Sequence, residues 1–280
     1  MAVPVVNGIS DGGVQMANEQ TFFDFAAEVG LTKHIGGLGS TQELLELCHI
    51  APGAYILDVG CGAGVTPAYI AKRYDCSVFG VDISEKMILR SEQWAQRKGV
   101  ADRLEFRVAD AQDLPFQDEK FDAVISESVT AFPPDKQRAV NEYARVTKPD
   151  GYVGLNESTW LKTPPPPEMV AWVSQDVGAT VKPLTSAEWV GLLEGAGLKD
   201  LVAKSYRLNV KDETRGIFQR YGVSGMLRVL SRTLKLYLSN PAYRQFVKDV
   251  RQDGVTPKNL DDYFGYGIYV GRKPATESSG

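Results

Sequence analysis

A chain of 280 residues with a formal net charge of −4 is long enough for one large domain with a smaller cap, and its mild acidity argues against nucleic-acid binding, which normally needs a basic domain. Its three cysteines, Cys48, Cys61 and Cys76, form no paired framework or metal spacing and fit a reducing cytosol; two histidines, His34 and His49, exclude a His-rich metal site. No run approaches the ~18 apolar residues of a membrane span, and the first twenty residues lack signal-peptide features, so the expectation is a cytoplasmic protein with a flexible arm over 1–20.

Residues 21–50 read as a helical lid, broken by Gly36-Gly37 and ending near Pro52. Strands and helices then alternate. Tyr55–Val59 is a strand and Val65–Arg73 a helix. Ser77–Val81 is a strand ending at Asp82, followed by a helix to about Lys98. Leu104–Val108 leads into Ala109-Asp110-Ala111. Phe121–Ser126 precedes a helix over about 135–147, and Tyr152–Asn156 is a fifth strand. Short apolar strands alternating with helices predict a parallel sheet covered on both faces. Thr185, with Glu188 three residues later, predicts a capped helix to Ala196. Leu198–Leu208 and Tyr263–Val270 supply the last two strands. Two stretches interrupt the alternation, a cap insertion over 158–184 and a mostly helical one over 211–262, and loops of that length are usually functional. The domain reading is therefore a binding core over 51–157, a core helix and strand over 185–210, a last core strand over 263–273 and a tail over 274–280.

The most informative stretch is Asp58-Val59-Gly60-Cys61-Gly62-Ala63-Gly64. A strand ending in a glycine turn before a helix N-terminus brings backbone N–H groups and a positive helix end to a ligand. A dinucleotide turn wants G-x-G-x-x-G, whereas the third glycine here falls one residue early, which disfavours an NAD-dependent oxidoreductase. Asp82 ends the next strand, where a carboxylate accepts from two ribose hydroxyls. Asp110 follows the third, where one accepts from an exocyclic amine such as that of adenine. Each acid has a plainer reading: Asp58 as a structural carboxylate, Asp82 as a helix cap, Asp110 as an Asx turn.

With these residues in order, and with Arg145-Val146-Thr147-Lys148-Pro149-Asp150-Gly151 before the fifth strand, the chain resembles the class I S-adenosylmethionine-dependent methyltransferases. The resemblance is good over 50–157 and looser through the last strand; Pro149-Asp150-Gly151 stands where the family has Pro-Gly-Gly. It implies a Rossmann-like seven-stranded sheet, mostly parallel with an antiparallel last strand, helices on both faces and a helical cap. It implies S-adenosylmethionine as cofactor, with Gly60, Cys61, Gly62 and Gly64 at its methionine part and Asp58 near its amino group. Asp82 then holds the ribose, Ile83 covers one adenine face, Asp110 and the Ala111 N–H meet the adenine edge, and Ser126 and Glu127 lie beside the methyl and the substrate.

Methyl transfer needs no metal, and no metal ligands are assigned. An acceptor that loses a proton needs a base, for which His34, Glu127 and Glu157 are the candidates. The Lys33–Gly37 stretch is similar to one upstream of the cofactor strand in sterol and tocopherol-type carbon methyltransferases, without their aromatic cluster. Both insertions should roof the acceptor pocket, where Trp160 and Trp172 either line an apolar cavity or pack the cap. On a helical wheel, Met226, Leu227, Leu230, Leu234, Tyr237 and Leu238 share one face and Arg228, Arg232 and Lys235 the other. The plain reading packs the apolar face on the core; the second lays it on a membrane as a peripheral contact, or admits an amphiphilic substrate. The acceptor expected is a small apolar or amphiphilic molecule such as a quinol, lipid or natural product. The alternative is a small polar amine, anchored by Lys162, Arg215 or Arg220.

Overall fold

The computed structural model describes residues 24–32, 34–176, 181–208, 210–252 and 257–275, and of 175–176, 210–219 and 249–252 the backbone alone; the proposed arm over 1–20 and the Arg215 side chain lie outside the described residues. Helix α1 covers 24–29 and α2 covers Gly37–Leu47. The core runs β1 (Tyr55–Val59), α3 (Val65–Tyr74), β2 (Ser77–Asp82), α4 (Glu85–Lys98), β3 (Leu104–Val108), β4 (Phe121–Glu127), α5 (Lys136–Val146) and β5 (Thr147–Trp160). Then follow α6 (Pro167–Asp176), β6 (Leu184–Thr185), α7 (Ser186–Gly195), β7 (Lys199–Arg207), α8 (Val210–Ser239), α9 (Pro241–Gln252), α10 (Leu260–Tyr263) and β8 (Phe264–Arg272).

The sheet order is β3-β2-β1-β4-β5-β8-β7, with the two-residue β6 beside β5. Strands β1 to β5 pair in parallel, and β8 runs antiparallel between β5 and β7. This is the expected mostly parallel sheet with its antiparallel last strand. The strand period of two divides the core. Ile56, Val78, Ile125 and Ile268 join Leu44 of α2, Ile70 of α3 and Val229 of α8 on one face. Leu57, Phe79, Val124, Leu155 and Tyr269 join Val140 and Tyr143 of α5 and Trp189 and Leu193 of α7 on the other.

The helix ends follow local chemistry. Ser84 Oγ accepts from Met87 N at the start of α4, and Thr185 with Glu188 forms the predicted capping box of α7. Two expectations need correction. Strand β5 is longer than Tyr152–Asn156, because Glu157 to Trp160 continue pairing with Phe264–Gly267, so the first insertion leaves the sheet at Leu161. Of the apolar face of residues 225–238, Met226 packs against the core but the leucines do not: Leu227, Leu230, Leu234 and Leu238 are between 57% and 69% exposed. The buried side is instead Gly225 and Val229, four residues apart, and Gly225 lets the helix approach Trp94.

Candidate active site

The site lies at the carboxyl ends of β1, β2 and β4, where an open parallel sheet binds its ligands. The glycine turn is held by the neighbouring strand: Gly60 N and Cys61 N both donate to Val81 O, at 2.7 and 2.9 Å. Gly60 has φ 75°, and a Cβ there would lie 2.1 Å from Val129 Cγ2, so only glycine accepts both this backbone and the close approach of the loop after β4. Gly64 caps α3 in the left-handed region. The Cys61 thiol is buried beside Gly80 and donates to Gly62 O within the turn, and burial together with the charges of Asp82 and Asp58 pushes its pKa up.

Asp58 is buried, and its Oδ2 has no hydrogen-bond partner. Burial raises its carboxyl well above the usual range, neighbouring Glu127 adds to this, and Arg220 opposes it. Asp82 accepts from Gly62 N and Ser84 N, each at 2.9 Å, through separate oxygens. It thus splints the glycine turn to the start of α4 while its remaining lone pairs stay available; burial still raises its pKa against those bonds. Beside it Ile83 is 75% exposed, an apolar surface at the mouth of the turn. Asp110 forms the Asx turn, accepting from Gln112 N at 2.9 Å. Ala109 N donates to Asp82 O, which ties the Asp110-Ala111 segment to the same rim.

The second half of the site joins segments far apart in the chain. His34 and Glu127 are both buried, with Nε2 of the first 2.9 Å from Oε2 of the second. Thr41 Oγ1 donates to the same carboxylate oxygen at 2.9 Å and lies 3.1 Å from His34 Nε2. His34 Nδ1 faces Ile35 O at 3.2 Å, and Asn156 Nδ2 donates to Ile35 O and Ser40 Oγ. Ile35 N in turn donates to Ser128 Oγ. Glu127 Oε1 is left buried without a partner. Burial alone would raise the Glu127 carboxyl, but His34, Arg220 and the Thr41 bond together hold it below the usual range. The two unpartnered oxygens of Asp58 and Glu127 belong to neighbouring carboxylates that feel each other's charge.

Two predicted residues point elsewhere. Ser126 is buried, and its Oγ lies 2.9 Å from Thr130 Oγ1, on the sheet face opposite Glu127, as the strand period requires. Its side chain braces the loop after β4. Glu157 lies on that same opposite face; its Oε1 accepts from Val129 N at 3.0 Å and Thr130 N at 2.7 Å, so it holds the loop from beneath and does not join His34 and Glu127.

Thr41, Asn156 and Tyr221, which the sequence reading left unassigned, and Arg220, read there only as an anchor for a polar amine, complete the site. Thr41 and Asn156 hold His34 and its segment in place, and the one signal for Asn156 was its register opposite Glu127. Arg220 donates through Nη2 to Thr66 Oγ1 at 3.0 Å, at the first turn of α3. Tyr221 Oη accepts from Thr32 N and donates to Thr32 O, fastening the segment before His34. Ile35, Trp160 and Trp172 pack with Met169, Val173 and Phe264, so the first insertion does cover the His34 side. Lys162 turns away, towards Asp262 at 3.7 Å. Among the described residues, no group of three or more His, Cys, Asp or Glu side chains is placed to hold a metal ion.

Residues 57–155 match the family described as a methyltransferase domain. A 27-O-demethylrifamycin SV methyltransferase of Amycolatopsis mediterranei is 32% identical over 57% of this chain and 59% of its own length. A phosphoethanolamine N-methyltransferase of Triticum aestivum is 31% identical over 60% of this chain, which spans 32% of that enzyme. The crystal structure of the cyclase SpnF, 22% identical, matches with a TM-score of 0.69 over 94% of this chain and 96% of its own; at that identity the likeness is one of fold.

Proposed function

Because the chain belongs to the class I S-adenosylmethionine-dependent methyltransferases, we propose that it methylates a hydroxyl of a small apolar or amphiphilic acceptor such as a quinol, lipid or natural product. The observation that carries this reading is Glu127: a buried carboxylate fixed at one oxygen by His34 and Thr41, with the other oxygen bare.

The residues present fit the cofactor. The orphaned Asp58 oxygen suits an ammonium. Arg220, held at the start of α3, is placed to take a carboxylate. Asp82 would hold ribose hydroxyls, and Ile83, Asp110 and Ala111 would meet the adenine. When bound, S-adenosylmethionine supplies a methyl group on a sulfonium, ready for in-line displacement. The protein's task is then alignment and proton handling. As the acceptor oxygen takes the methyl, its O–H becomes strongly acidic, so even a carboxylate of low pKa suffices to receive the proton. Glu127 Oε1 receives it; His34 keeps that carboxylate ionised and aimed, and Arg220 balances the charge of Asp58 and Glu127. The apolar cluster of Ile35, Trp160, Trp172 and Met169 beside His34 supports an apolar acceptor.

A second reading is N-methylation of a small amine, supported by the same pair of carboxylates and by the name of the wheat relative. The test is a mass-spectrometric screen with isotopically labelled cofactor against pools of quinols, hydroxylated natural products, lipids and amines. Label appearing on hydroxyl oxygens supports the first reading. Label on amines alone replaces it with the second.

A further inference from the structure

The outer surface of α8 is an apolar patch to which the proposed reaction gives no role. Among the described residues ten large hydrophobic side chains stand exposed, and six of them lie on this helix: Val223, Leu227, Leu230, Leu234, Tyr237 and Leu238. The four leucines recur at three- and four-residue spacing, so they form one outward ridge, and they line a shallow groove with Ser231 and Lys235. Monomeric soluble proteins rarely leave so contiguous an apolar patch in water.

The charge beside the ridge says what covers it. Residues 220–248 carry six Lys or Arg and no Asp or Glu, in a chain whose net charge is −4. Arg228, Arg232 and Lys235 follow one another around the helix on a single flank of the leucine ridge. On that flank Arg228 and Arg232 meet Arg90 and Arg97 of α4, around a small cavity closed by Gly30, Trp94 and Tyr221. Among the described residues no carboxylate pairs with any of these four arginines; the ion pairs that α4 makes with α1 run through Lys86 to Asp24 and Glu28. Burial and the charges of their neighbours push Arg97 and Arg232 below the usual arginine range, the response of crowded cations lacking counter-charge. Exposed leucines flanked by unneutralised arginines are complementary to an anionic bilayer, with acyl chains under the ridge and phosphates at its edge. A second copy of this basic face would instead bring like charges together. No helix among the described residues is long and apolar enough to cross a membrane, so the contact is one of lying on the surface.

We propose that the face of α8 bearing Leu227, Leu230, Leu234 and Leu238, with Arg228 and Arg232 beside it, docks this protein on an anionic phospholipid membrane. The surface lies apart from the Glu127 site, so the proposal stands whichever acceptor is methylated.

The test is flotation of the full chain with vesicles of phosphatidylcholine alone and of phosphatidylcholine mixed with phosphatidylglycerol. The expected result is at least about tenfold stronger partitioning to the anionic vesicles, weakened by salt. The double variant Leu230→Asp, Leu234→Asp should lose binding while keeping its thermal transition and cofactor affinity, since both side chains are solvent-facing. Arg228→Glu with Arg232→Glu should abolish the preference for anionic lipid. Absence of wild-type binding, or binding unchanged in the leucine variant, overturns the proposal. So does light scattering that shows a dimer which the leucine variant converts to monomer, because the ridge would then be covered by a second copy.

Discussion

Glu127 Oε2 lies 2.9 Å from His34 Nε2, while Oε1 of the same carboxylate is buried and bare. On the proposed reading the two oxygens have different jobs: one is fixed by His34 and Thr41, and the other is left to take the acceptor's proton. Glu127→Gln keeps the volume and an acceptor oxygen for His34 but cannot receive a proton. We expect kcat to fall by about 10²-fold or more, the scale of general-base catalysis, with S-adenosylmethionine affinity within about threefold of wild type. Steady-state kinetics with titration calorimetry separates the two. An unchanged kcat would show that the proton leaves by another route.

His34 acts through Glu127, and the prediction for it differs accordingly. His34→Ala removes the partner that holds the carboxylate low while leaving Thr41. Burial then dominates, and the Glu127 pKa rises. The base is lost at the acid end of the profile, so the acidic limb of kcat against pH should move towards neutral pH. A uniform loss across all pH, with no displaced limb, would make His34 a purely structural residue.

Arg220 is predicted to hold the carboxylate of the cofactor's methionine part. Arg220→Ala should weaken S-adenosylmethionine by about 10- to 100-fold, the range of a hydrogen bond to a charged group. Methylthioadenosine, which lacks the carboxylate and the α-amino group of the methionine part, should bind both proteins alike. Equal loss for the two ligands would mean that the variant disturbs α3 through Thr66 instead.

Most of the cofactor half of this site could be read from the sequence, because it is local. Strand, turn and helix N-terminus occupy Tyr55 to Tyr74 without interruption; Asp82 ends a strand that announces itself as an apolar run, and Asp110 stands just past one that alternates, Leu104-Glu105-Phe106-Arg107-Val108. The capping box at Thr185 and Glu188 was legible for the same reason. The acceptor half was not, because it is made by register and packing. His34 meets Glu127 only once α2 docks over β4 and β5, and adjacent residues on one strand, Ser126 and Glu127 or Asn156 and Glu157, point to opposite faces that no spacing distinguishes. Helix α8 shows a further limit. A helical wheel finds an apolar face but not its direction, and the inward side here is carried by Gly225 and Val229, of which glycine adds nothing to an apolar pattern. The break at Gly222, with φ 67° and ψ 174°, gives the segment after it a facing that the preceding turns do not dictate.

The last prediction concerns Glu157, which lies buried beneath the loop after β4. Burial raises its carboxyl to about 7 against the pull of the Thr130 and Val129 N–H groups, from an ordinary value of 4.5. Between those two values the folded chain holds a proton that the unfolded chain has released. The contribution to stability is therefore fully present below pH 4.5 and is lost as pH rises through 7. The size of the loss is about 3 kcal/mol, at 1.36 kcal/mol for each pKa unit. Glu157→Gln retains an oxygen for both N–H groups and carries no charge at any pH. Urea unfolding across pH 4 to 9 should show the variant equal to wild type near pH 4 and more stable by up to about 3 kcal/mol near pH 8, with the descending limb flattened. A variant less stable than wild type at pH 8 would mean that the loop requires the ionised carboxylate, and that Val129 and Thr130 bind it more strongly than burial opposes it.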